Sequence, residues 1–185
     1  MNVFSLIAVA IGLAMDAFSV AIAKGVSLKE VKKANAIKVA LFFGGFQALM
    51  PLLGWLIGER FSSYIAASAH WIAFVLMLLL GGKMIYESIF ERKDEVVDTN
   101  PLKASSLIIL SIATSIDALL VGFTIALFDT PIFLAVSIIG LVTFVICYFG
   151  VFLGGKIGGY LGKYATIMGG IILIGIGILM LVEGL

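Results

Sequence analysis

The sequence predicts an all-α integral membrane protein of six transmembrane helices, arranged as two inverted three-helix repeats. Three observations carry this reading. Hydrophobic residues make up 62% of the chain and charged ones only 12%, whereas soluble domains are about half apolar and a quarter charged. The apolar residues gather into six runs, each close to the roughly 20 residues that a helix needs to cross hydrocarbon. A phrase of the first run, Met15-Asp16-Ala17, returns in the fourth as Ile116-Asp117-Ala118. Little chain is left over for a soluble domain, and no basic face points to nucleic acid.

The first span is expected at 3–23, with only Ser5, Asp16 and Ser19 polar. A carboxylate at mid-span is costly in lipid and normally faces a partner, water or an ion. Met1 to Leu6 carries no Lys or Arg, so the run does not read as a cleavable signal. Further spans follow at 38–58, 70–90, 104–128, 131–155 and 164–183. Lysine and arginine concentrate in the first connection (Lys24, Lys29, Lys32, Lys33, Lys38), the third (Arg92, Lys93, Lys103) and the fifth (Lys156, Lys163). The positive-inside rule places those connections in the cytoplasm and both termini outside it.

Residues 1–90 then form the first repeat, 91–103 a solvated cytoplasmic linker, and 104–185 the second repeat. One register carries Asp16 onto Asp117. After a shorter connection a second register carries Gly44 onto Gly140, Gln47 onto Thr143, Gly54 onto Gly150, Gly58 onto Gly154 and Gly81 onto Gly177. Three spans per repeat is an odd number, so the halves must lie upside down relative to each other. Such repeats typify transporters, with the site near the midplane where the halves meet.

Helical spacing places Gly12, Asp16 and Ser19 on one stripe of the first span, and Ser111, Thr114 and Asp117 on one stripe of the fourth. Gly44, Gln47, Pro51 and Gly54 share a stripe of the second span, and Gly140, Thr143, Cys147 and Gly150 one of the fifth. Small residues at these intervals let helices approach closely in lipid, so Gly12, Gly44, Gly54, Gly140 and Gly150 are read as packing positions. Gln47 and Thr143, within the same stripes, should face the interior. The structural alternative for Asp16 and Asp117 is a hydrogen-bond acceptor or a cap of an interrupted helix.

Two carboxylates neutralise one divalent cation, and oxygens of Asp16, Asp117, Gln47, Ser19, Ser115 and Thr143 suit a hard ion such as magnesium, calcium or manganese. Ser115 points away from Asp117 on an ideal helix, and needs a break there to join. Lys83 and Glu87, spaced i,i+4, read as an intrahelical pair snorkelling to the interface. His70 reads as a structural residue at the outer boundary, with Trp55 and Trp71 in the outer aromatic belt. Cys147 has no second thiol, which argues against a disulfide or a soft-metal site.

Met15-Asp16-Ala17-Phe18, Lys24-Gly25, Pro51-Leu52-Leu53-Gly54-Trp55, His70 to Leu76 and Ala113 to Ala118 together resemble the manganese efflux pump (MntP) family, grouped with the lysine exporter (LysE) superfamily. The resemblance spans nearly the whole chain. It implies manganese(II) export across a bacterial inner membrane, with Asp16 and Asp117 as the functional carboxylates. Family members often carry an acidic residue where this chain has Gln47, whose amide can offer an oxygen to a metal but cannot take up a proton.

These readings describe a transporter rather than an enzyme, with manganese as cargo and no cofactor. Uncoupled exit of a doubly charged ion against about 100 mV costs about 4.6 kcal/mol, so exchange for protons at Asp16 and Asp117 is expected. The rivals are an exporter of amino acids or other small solutes, a membrane-embedded redox enzyme, and an assembly subunit without substrate. Monomer and homo-oligomer both remain open.

Overall fold

The computed structural model describes residues 3–28, 30–65, 69–90, 102–128, 130–157 and 160–183. Every regular element among them is helical: α1 (Val3–Ser27), α2 (Lys33–Ile65), α3 (Ala69–Phe90), α4 (Ala104–Ile125), α5 (Ile132–Ile157) and α6 (Tyr160–Glu183). All six are long and apolar enough to cross a membrane. In hydrocarbon every backbone N–H and C=O must be satisfied within the protein, and a helix does this within one segment. The chain is therefore an all-α membrane protein.

The helices run further than the apolar spans. At 33 residues and about 1.5 Å per residue, α2 exceeds the roughly 30 Å of hydrocarbon and must project beyond it. Lys24, Lys33 and Lys38, expected in the first connection, accordingly stand on helices. Lys24 is even buried, its ammonium donating to Ser106 Oγ at 3.0 Å, while Lys38 donates to the Leu102 carbonyl at 2.8 Å. Helix formation continues past the end of the apolar run because lysine stems pack well on a helix and only the ammonium needs a polar partner. The fourth helix stops at Ile125 rather than 128, where residues 126–128 form turns. Residues 91–101, most of the expected linker, lie outside the described residues, as does Lys29.

The bundle is layered rather than sequential. α1 packs along α5 and α6, α2 along α4 and α5, and α3 along α6. By contrast, α3 touches α4 only slightly. Glycines set the crossings. A Cβ on Gly44 would sit 2.9 Å from the Gly140 carbonyl oxygen, and one on Gly140 the same distance from Ala48 Cβ. At Gly54, any side chain would run into the Leu119 carbonyl of α4, and at Gly122 into Pro51 of α2. Buried apolar residues form two clusters. One is centred on Val9, Leu13, Met77, Ile139 and Leu173. The other centres on Ala21, Val39, Phe43, Leu107 and Val151.

Candidate ion site

Asp16 and Asp117 each fall well inside a continuous helix, with no break in either α1 or α4. That excludes the capping role. Asp117 is 6% exposed, and Asp16 is half-buried. The two carboxylates lie within electrostatic reach of each other, and Asp16 also acts on Cys147 of α5. The bundle therefore brings Asp16 of α1 and Asp117 of α4 near enough to act on each other.

The same bundle buries a set of neutral oxygens. Gln47 is fully buried; its Nε2 donates to the Leu13 carbonyl at 3.2 Å, one turn before Asp16, and its Oε1 has no partner. Pro51, four residues on, has no N–H to give the Gln47 backbone carbonyl, so a second oxygen of the same residue lacks its helical donor. Thr143 Oγ1, Ser115 Oγ and Ser111 Oγ are buried and likewise without a hydrogen-bond partner. Leaving a buried polar atom unpaired costs about 1–3 kcal/mol. Each of these four atoms is a candidate ligand for an ion or a water. Among the described residues, no three histidine, cysteine, aspartate or glutamate side chains gather closely enough to hold one ion. Any cation here must complete its shell with neutral oxygens.

Ser19 is engaged elsewhere: its hydroxyl bonds the Met15 carbonyl at 3.0 Å and Thr166 Oγ1 at 2.6 Å, tying α1 to α6. Ser115 is buried without any break in α4, on the face turned to α2. The five packing glycines lie at helix contacts; Gly12 faces Leu173 and Gly169, and Gly150 faces Phe18 and Ala21. His70 stands edge-on to Phe128, ring centroids 5.1 Å apart, as a structural residue would.

Lys83 departs from expectation. It does approach Glu87, at 3.7 Å, but its ammonium is closer to Asp117 Oδ1, at 3.3 Å. The i,i+4 spacing accounted for the first contact, and nothing in the linear sequence signalled the second. Ser111 was also undervalued, although its stripe with Thr114 and Asp117 was visible.

Six apolar helices, with two aspartates set inside them, make this a polytopic membrane protein. Residues 30–181 match the family described as "Putative manganese efflux pump". Relatives of that name include one from Clostridium perfringens (strain SM101 / Type A), 46% identical over 99% of this chain and 95% of the relative. One from Clostridium botulinum (strain Loch Maree / Type A3) is 48% identical over 99% and 96%. One from Methanosarcina mazei is 49% identical over 94% and 92%. The chain belongs to this family. No solved structure matches it.

Proposed function

We propose that this protein exports manganese(II) from the cytoplasm by alternating access, in exchange for protons, with Asp16 and Asp117 binding ion and proton in turn. The observation that supports the reading is that these two carboxylates act on each other electrostatically inside one bundle, which also buries the unpartnered oxygens of Gln47, Thr143 and Ser115. Carboxylate, carbonyl and hydroxyl oxygens favour magnesium, calcium or manganese over softer ions, and the relatives' names select manganese. Two carboxylates with neutral oxygens also make a site that can let its ion go, as transport requires. The charge pattern of the connections supports a plasma-membrane topology with both termini outside.

Packing supports the inverted repeat. Gly54 of α2 abuts Leu119 of α4, and Gly150 of α5 abuts Phe18 of α1. In the register of the repeat these are one and the same contact. So are Gly58 against Phe123 and Gly154 against Ile22. One pair breaks the correspondence. α6 lies along α1, whereas α3, its counterpart, stands away from α4. Ile109, Ile112, Ala113 and Ile116 of α4 are consequently exposed, while of their counterparts Gly12 is buried and Ala8, Ile11 and Met15 are partly buried. Two equivalent seams, one shut and one ajar, are the arrangement alternating access needs, with the α3–α6 pair moving between α1 and α4.

The test is cellular manganese content and growth in excess manganese, in a strain lacking its own exporter. The parent should lower manganese and restore growth. Asp16→Asn and Asp117→Asn, at matched expression, should do neither. Unchanged manganese with a well-expressed parent removes that substrate, and proteoliposome flux indifferent to a proton gradient, with no imposed potential, removes the coupling.

A further inference from the structure

We propose that the Lys83 ammonium is a tethered cation that occupies Asp117 while neither metal nor proton is bound there, and that an entering divalent ion takes Asp117 from it, the ammonium retreating to Glu87. This rests on the reading of Asp117 as an ion ligand. It adds a residue that sets which ions can enter.

The geometry is that of a movable group between two berths. Lys83 Nζ lies 3.3 Å from Asp117 Oδ1 and 3.7 Å from Glu87 Oε1. Glu87 is one turn further along the same helix, so the ammonium can pass between the carboxylates by side-chain rotation alone, without movement of α3. The Lys83 side chain is 50% exposed against 9% for Asp117, and α3 barely packs on α4. The lysine therefore reaches across an open seam to a buried acid rather than being clamped in a packed core. Its flexible four-carbon stem and compact charge suit such movement. Asp16 also acts on the ammonium electrostatically.

The consequence is selectivity by charge. Any ion that binds must outcompete an ammonium already hydrogen-bonded to its ligand. A monovalent cation brings no more charge than it displaces. A divalent ion brings twice as much to the same carboxylates, so it wins where sodium and potassium do not. Between the departure of the ion and the arrival of a proton, the lysine returns, so Asp117 does not stand as a bare buried anion, a costly condition. Lys83 is thus a positioning and specificity residue, distinct from the ligands.

The experiment measures Mn2+ binding to the purified full-length protein in detergent, by loss of the free-ion electron paramagnetic resonance signal. Lys83→Met and Lys83→Gln remove the competitor and are expected to bind Mn2+ about ten- to a hundredfold more tightly, the worth of one hydrogen bond to a charged group. Lys83→Arg keeps the competing charge and should not tighten binding. Glu87→Gln removes the retreat and should weaken binding in the parent, yet have no effect alongside Lys83→Met. A lysine that merely clips α3 to α4 would give the opposite pattern: lower thermal stability in Lys83→Met, with Mn2+ affinity unchanged or reduced. That result overturns the proposal. Asp117→Asn separates the two levels. If it weakens Mn2+ binding while Lys83→Met fails to tighten it, only the lysine's role falls. If the parent binds no Mn2+, or Asp117→Asn is without effect, the ion-site reading falls and this proposal with it.

Discussion

Replacing Gln47 with glutamate tests whether the buried amide is turned to an ion. Gln47 is wholly buried, and its Nε2 donates to the Leu13 carbonyl at 3.2 Å. An ionised glutamate in that place turns an acceptor toward an acceptor. The lost hydrogen bond costs about 1 kcal/mol and the exposed acceptor about 1–3 kcal/mol. A buried charge without a partner raises the total to about 3–5 kcal/mol. Manganese reverses the sign, because a third carboxylate near Asp16 gives the ion another charged ligand. Gln47→Glu should therefore melt well below the parent in chelator. Its Mn2+-induced rise in melting temperature should exceed the parent's, since an ion that binds only the folded state stabilises it by RT ln(1 + [L]/Kd). Thermal unfolding of detergent-purified protein across a Mn2+ series reads both effects. A variant as stable as the parent without metal, and no more stabilised by it, would refute the claim that the Gln47 oxygen faces the site.

Two further predictions concern the frame. Gly122→Val should abolish folded protein, since any side chain there runs into Pro51 of α2 and the helices cannot both keep their places. Gly45→Ala, where a Cβ meets nothing within 4 Å, should leave yield intact and raise stability by about 0.5–1 kcal/mol through helix propensity; size-exclusion profiles and thermal melts check both. The moving-seam reading predicts that α3 can close on α4 as α6 now closes on α1. In the repeat register Gly12 and Gly169 correspond to Ala113 and Ala73, so Ala113→Cys with Ala73→Cys should cross-link under oxidation and arrest transport. Absence of that cross-link in active protein would rule out the closure.

The two intramembrane aspartates were legible because a charge inside a twenty-residue apolar run is conspicuous, and its recurrence at Asp117 more so. The glycine stripes were legible because close approach leaves a periodic mark in one helix. Lys83 was not, because its sequence neighbour Glu87 supplied a sufficient partner and the contact with Asp117 crosses from α3 to α4. The bond of Ser19 to Thr166 on the last helix was illegible for the same reason, since it crosses from α1 to α6.

Composition and periodicity alone thus determined that this chain spans a membrane six times, because hydrocarbon leaves a single chain segment few ways to satisfy its backbone. They also singled out Asp16 and Asp117, because lipid makes an idle carboxylate expensive. Which side chains those acids meet, and that α6 lies along α1 while α3 stands away from α4, were decided only in the tertiary structure. Those are relations between helices, set by how six surfaces pack together, and no local pattern within one helix encodes them.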